Sequence, residues 1–249
     1  MLKSSRRDLG LALAAFALLC SSSAHAQWSG HATASFGQGL GAIALSQGNL
    51  TLSQNALRQR AARQQNGTAP RAQTPRDAAL SYTPNPQLTE KIRASMIDLA
   101  SKGNPDSRPQ WEKLMADDAI LRDFDNLMGA YGYSRLNFAD DIAMLLTVCW
   151  ETASGRDASA AQVRGAHDQM RSIVRDNPTL RGLPNDQRQA MAESIAYQVL
   201  FMYAAKLGAE RSGNTAQLLE VRNSAAQTAR QYGVDVSQTT LTERGFRRI

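Results

Sequence analysis

Residues 81–249 predict an all-α fold, a single bundle of about seven helices, and three features of the sequence carry that expectation. Apolar residues recur three and four positions apart over long stretches. Asn or Ser precedes several of these stretches, and Pro or Gly punctuates them. No sustained alternation of apolar and polar residues appears ahead of Val234-Asp235-Val236, so a sheet is not expected.

The elements follow in order. Asn85 and Pro86 give a cap and a first-turn proline, after which Leu88, Ile92, Met96 and Leu99 share one face before Gly103. A second, short helix carries Trp111, Leu114 and Met115. A third carries Ile120, Leu121, Phe124, Leu127 and Met128 and stops at Tyr131-Gly132. Asn137 caps the fourth, whose stripe of Phe138, Ile142, Leu145, Leu146 and Cys149 is the most apolar in the chain and marks the central helix. Ser159 opens the fifth, with Val163, Met170, Ile173 and Val174 inward, and Asn177-Pro178 closes it. A turn over 182–186 leads to a long sixth helix with Met191, Ile195, Val199 and Met202. The seventh starts near Asn214, carries Leu218, Val221 and Tyr232, and ends at Gly233. About 170 residues in this pattern can bury one cooperative core without metal or disulfide.

The N-terminal third has a different texture. Lys3, Arg6 and Arg7 precede an apolar run, 9–20, of signal-peptide length and too short to span a membrane. Ala24-His25-Ala26 supplies the small residues that signal peptidase needs, so residues 1–26 are expected to be removed before Gln27, leaving no membrane span. Ser5-Arg6-Arg7-Asp8-Leu9 also resembles a twin-arginine start, and the export route stays open between the two. Leu19 ahead of Cys20 argues against lipid attachment, which needs a small residue there. Residues 27–80 form a low-complexity, disordered spacer, too poor in large apolar side chains to offset the entropy of ordering it. Within it, 53–65 has the cap and stop of one short basic helix. Gly37-Gln38-Gly39-Leu40-Gly41 lacks the Gly-Lys-Ser/Thr ending of a phosphate loop.

Charge and cysteine content narrow the function classes. The formal charge of +6 falls to +4 once residues 1–26 leave, too mild and too scattered for a nucleic-acid protein. Weak attraction to an anionic envelope surface is compatible with it. Cys149 is then the one remaining thiol, set in an apolar stretch and expected to pack as a small hydrophobe.

Several short motifs together resemble an uncharacterised family of secreted proteobacterial all-helical proteins, a domain of unknown function. They are Ser81-Tyr82-Thr83-Pro84 at the domain's start, Tyr131-Gly132 ahead of Asn137-Phe138-Ala139-Asp140, Trp150, and the closing Leu241-Thr242-Glu243-Arg244-Gly245-Phe246. The resemblance covers roughly 81–246 and sets the basic Arg247-Arg248-Ile249 end apart. It implies a helical exported domain and assigns no catalytic residue.

The search for chemistry yields little. With His25 in the signal and His31 in the spacer, His167 is the domain's one histidine, read as a partly exposed structural residue, and zinc is not expected. The pairs Asp117-Asp118, Asp123/Asp125 and Asp140-Asp141 read as helix caps and solvated charge. Glu193 is the weak catalytic candidate. A lone Glu before Ser194 on a helix is what peptidoglycan-cleaving transglycosylases use to protonate a glycosidic oxygen, but no Gly-rich substrate loop follows. Tyr197, Phe201 and Tyr203 read as packing rather than a sugar platform.

The sequence therefore points to an exported helical binding or structural module of the cell envelope. It would be periplasmic or extracellular, without cofactor or metal, and its partner would be an envelope or extracellular protein of unknown identity. Two alternatives stand beside it. One is a peptidoglycan-cleaving enzyme using Glu193. The other is a small-ligand or lipid carrier with a cavity among Met96, Met128, Met144, Met170, Met191 and Met202.

Overall fold

Side-chain caps mark the start of five of the eight described helices. In the computed structural model, which describes residues 79–249 apart from Gly103 and Asp117, the Asn85 side chain accepts from the Gln87 amide and opens α1 (Pro86–Ser101). A single 3-10 turn leads into α2 (Arg108–Met115), and α3 spans Ala119–Ala130. Asn137 accepts from the Ala139 amide at the head of α4 (Phe138–Ser154). At α5 (Ala160–Asp176), Ser159 and Gln162 close a reciprocal capping box. Asn177 caps the four-residue α6 (Pro178–Arg181), which occupies part of the expected turn and makes eight α-helices among the described residues rather than about seven. The long α7 runs over Asn185–Ser212, and Asn214 caps α8 (Thr215–Gln231). The expectations for 1–26 and for almost all of the spacer, the 53–65 helix and Cys20 included, lie outside the described residues.

The core is built around α4. All fifteen of its residues from Phe138 to Thr152 are buried, because α5, α7 and α8 all pack against it. α7 also touches α1, α3 and α8, so α4 and α7 form the axis of the bundle. The apolar stripes read from the sequence all turn inward, and one cluster runs continuously from Leu80 to Phe246. All six methionines proposed as a cavity lining are buried in it, as is Cys149, whose Sγ lies 3.8 Å from Met202 Sδ. Trp111 is fully buried, edge-on to Phe201 at 5.1 Å between ring centres. None of the described helices is long and apolar enough to cross a membrane.

Two segments outside the helices close off the bundle. Residues 79–85 form a strap across it. The Tyr82 amide donates to Leu136 O (3.0 Å), the Thr83 amide to Asn185 Oδ1 (2.7 Å) and the Asn85 amide to Gln189 Oε1 (2.8 Å). At the other end, β1 (Thr239–Thr242) and β2 (Gly245–Arg248) make an antiparallel hairpin with Leu241 opposite Phe246. A mainly helical fold is thus what the described residues adopt, with one small sheet among them that no pattern of residues announces. The two strands are four residues each, too short for alternation to register. The hairpin lies on α5, where Gln162 Nε2 donates to Leu241 O (2.7 Å). Gln169 accepts from the Phe246 amide (2.7 Å) and donates to its carbonyl (3.0 Å).

Candidate functional site

The aspartates at the head of α4 are not solvated caps. Asp140 and Asp141 are both fully buried, which corrects their reading as exposed charge. They differ in what surrounds them. Asp140 faces α5, where Arg171 grips it through two bonds, Nε to Oδ1 and Nη2 to Oδ2, both 2.6 Å. His167 Nδ1 lies 3.3 Å from the same Oδ1. Burial pushes the Asp140 carboxyl up, but the bonds from His167 and Arg171 outweigh it and hold the group below the usual carboxylate range. An ionised Asp140 only accepts, so Nδ1 of the neutral imidazole carries the proton.

His167 is fully buried, not partly exposed as the sequence suggested. Desolvation pulls its pKa below the ordinary value, and Asp140 offsets this only in part. Tyr133 lies flat on the imidazole, 3.6 Å between ring centres with planes 2° apart, and the Arg171 guanidinium sits 5.3 Å from the Tyr133 ring centre. Burial, with Asp168 and Asp140 nearby, raises the Tyr133 phenol to about 12. His167 Nε2 has no hydrogen-bond partner among the described residues. This is a fully buried Asp–His pair, and with Arg171 it ties α5 to α4.

Asp141 points to a different seam. Neither of its oxygens has a hydrogen-bond partner among the described residues. Burial, then the charge on Asp140, drives its pKa well above the carboxylate range, with Arg135 opposing and Asp125 and Glu193 adding to the rise. Glu193, the weak catalytic candidate, lies in the same seam from α7. Thr89 Oγ1 donates to its Oε1 at 3.0 Å and Gln189 Nε2 at 2.9 Å, while Oε2 has no partner among the described residues. Burial raises the Glu193 carboxyl, and the bonds from Gln189 and Thr89 pull it part of the way back. Tyr82, from the strap, closes the seam. It is 4% exposed, and Arg135 Nη1 donates to its hydroxyl at 3.2 Å.

A raised carboxyl suits a general acid, but Glu193 is 2% exposed and its bonded oxygen is taken by α1 and α7 themselves. Cys149 is sealed in as well, and burial pushes its thiol up. Among the described residues no group of three or more His, Cys, Asp or Glu side chains could hold a metal ion. Tyr197 and Phe201 are buried beside each other, and Tyr203 is half-buried with Lys206 Nζ 6.0 Å from its ring centre. Asp118 occupies the cap position of α3 but does not cap it. Its φ is +51°, and its carboxylate is ion-paired with Arg93 of α1. Asp123 is buried on α3, while Asp125 is exposed and 3.8 Å from Arg135.

Sequence reasoning missed Tyr82, Thr89, Tyr133, Arg135, Arg171 and Gln189. One signal was available for Gln189, which stands four residues before Glu193 on a helix, the spacing at which side chains meet. The other residues come together across 31 to 104 positions of chain, which periodicity cannot reveal.

Fold and seams define an all-α domain, closed at its N-terminal side by a strap and at its C-terminus by a hairpin. The chain belongs to a family of unknown function, DUF6683, whose model matches residues 5–248. The match runs past Phe246, so Arg247 and Arg248 fall inside the family pattern rather than beyond it. No curated protein and no solved structure matches the chain.

Proposed function

We propose that the chain is an exported binding or structural module of the bacterial cell envelope, with a protein as its partner. The observation that carries this reading is where the reactive side chains sit. Cys149, His167 and Glu193, the groups most suited to nucleophilic or acid–base work, are 0%, 0% and 2% exposed. Each is engaged with neighbouring helices, so the chemistry of the interior goes into holding elements together. What remains for a partner is the outer surface of the helices. The Lys3-Arg6-Arg7 start, the 9–20 apolar run and Ala24-His25-Ala26 support export.

The test is capture from a bacterial envelope extract, using the chain from Gln27 with and without residues 27–80. A defined protein retained by both forms is the expected result. Incubation with purified peptidoglycan serves as the counter-test. Released fragments, lost in Glu193→Gln, would replace the module by a cell-wall-cleaving enzyme. An apolar small molecule retained in place of a protein would replace it by a carrier.

A further inference from the structure

The seam beneath the strap holds more carboxylate than it can neutralise. Asp141 Oδ1, Asp141 Oδ2 and Glu193 Oε2 are all buried without a hydrogen-bond partner among the described residues. The charged and titratable groups around them come from every side. The strap supplies Tyr82, the α3–α4 loop Arg135, α3 Asp125, the α2–α3 link Asp118, α4 Asp140, and α7 Tyr197, which is hydrogen-bonded to Arg93. From α5, His167 and Arg171 are held by Asp140. The buried face of α8 is Val221, Ala225, Thr228 and Ala229, which adds no charge. Arg93 of α1 is paired with Asp118 and Glu90. Arg135 is the cation whose field reaches Tyr82, Asp141 and Glu193 alike, and it is already shared with the Tyr82 hydroxyl and Asp125.

We propose that Asp141 and Glu193 form a proton-operated latch: protons on these two carboxyls keep the strap 79–85 seated, and their release as pH rises lets it lift. The ligand of this site is the proton. Two features of the geometry convert ionisation into movement. Once ionised, Asp141, which has no donor among the described residues, and the unpartnered Oε2 of Glu193 demand water. Thr83 and Pro84 of the strap are exposed while Leu80 and Tyr82 are buried beneath it, so lifting it uncovers those two side chains and admits water, while α5, α7 and α8 still pack on α4. The second feature is Gln189. Its Nε2 carries two hydrogens but lies 3.0 Å from Asn85 O, 3.0 Å from Thr89 Oγ1 and 2.9 Å from Glu193 Oε1. A full charge on Glu193 holds one of those hydrogens on the carboxylate and leaves Asn85 O, in the last residue of the strap, to share the other with Thr89 Oγ1. Burial acts in the same direction, raising both carboxyls above their ordinary values and so placing the release above the normal carboxylate range.

Amide exchange in the chain from Gln27 to Ile249 reads the latch directly. The Tyr82, Thr83 and Asn85 amides are all hydrogen-bonded in the seated strap, and the Phe246 amide, bonded to Gln169 on α5, serves as reference. Protection factors, which remove the intrinsic pH dependence of exchange, are compared from pH 4 to pH 9. The strap should lose about tenfold in protection relative to Phe246 for each pH unit over which one linked proton leaves. The double variant Asp141→Asn/Glu193→Gln should hold a constant ratio across the range. A constant ratio in the wild-type chain, or an unchanged slope in the variant, overturns the latch. Should the variant fail to fold, carboxyl carbon chemical shifts of the wild-type chain decide. Titration of Asp141 or Glu193 in step with strap exchange supports the proposal. Both groups ionised below pH 5 under a fully protected strap overturns it.

Discussion

Asp140 and Asp141 are neighbours on one helix, equally buried, and opposite in acidity. The difference is one of partners. Successive helical residues point about 100° apart, which sends Asp140 to Arg171 and His167 on α5 and Asp141 into the seam under the strap. Asp140 therefore stabilises the fold through its charge. Its pKa is lower folded than unfolded, so the contribution is complete above the unfolded value of about 4 and fades as pH falls through the folded one. Replacing the carboxylate by an amide leaves the Arg171 guanidinium without its counter-ion and with one accepting oxygen in place of two, and turns an NH2 donor toward the other donors. Breaking a buried pair costs about 3–5 kcal/mol, and because the Arg171 side chain is 13% exposed and can find water, Asp140→Asn should cost about 2–3 kcal/mol near pH 7. Urea denaturation should show that deficit shrinking as the solution is acidified, until variant and wild-type chain converge. A deficit independent of pH would mean that the carboxylate acts by shape rather than by charge.

At the level of elements, local signals and long-range contacts had unequal visibility in the sequence. Asn85-Pro86, Asn137, Ser159 with Gln162, and Asn214 sit where helices begin, because a cap is a contact within three residues and its chemistry is written locally. The burial of Asp140 was not legible, since its partner Arg171 is 31 positions away and a first-turn aspartate looks like an ordinary dipole partner. Glu193 was legible as a carboxylate worth examining, but its closure depends on Tyr82 of the strap and on Thr89, 104 positions earlier. The hairpin was hidden for the same reason: its support lies on α5. Gly165 is the centre of that support. A Cβ at this position would meet the Glu243 carbonyl and come within 2.6 Å of the Gly245 amide nitrogen, so the hairpin lies on bare helix backbone between Gln162 and Gln169. In a free helix Gly165→Ala would gain about 1 kcal/mol of propensity. Here it should instead push the hairpin off α5. Uncovering Leu241 and Phe246, each worth about 1.5–3 kcal/mol when buried, outweighs the gain. A lower melting temperature, with faster exchange at the Phe246 amide and unchanged exchange at Tyr82, is the expected signature. A more stable Gly165→Ala chain would show that the hairpin does not depend on this contact.

Over the whole molecule, charge is divided between two regions that do different things. Residues 79–249 carry as many acidic as basic side chains, so the net +6 of the chain resides in residues 1–78. In residues 27–78 the surplus is that of Arg58, Arg60, Arg63, Arg71 and Arg76 against Asp77. Inside the neutral bundle, opposite charges are matched in local pairs such as Arg93–Asp118, Arg108–Asp98 and Arg171–Asp140, which leaves little field to reach outward. Attraction to an anionic surface must then come from the arginines ahead of the bundle. Each basic residue near such a surface contributes about 1 kcal/mol at low salt, and the effect decays over a Debye length of about 10 Å at 0.1 M. The chain from Gln27 should therefore co-sediment with phosphatidylglycerol vesicles at low ionic strength and be released as salt is added. Replacing the five arginines by glutamine should abolish co-sedimentation while leaving the melting temperature of the bundle unchanged, because all five precede residues 79–249 in the chain. Vesicle binding that survives all five substitutions would relocate the attraction to the folded domain, and the Arg244, Arg247 and Arg248 hairpin would be the place to look for it.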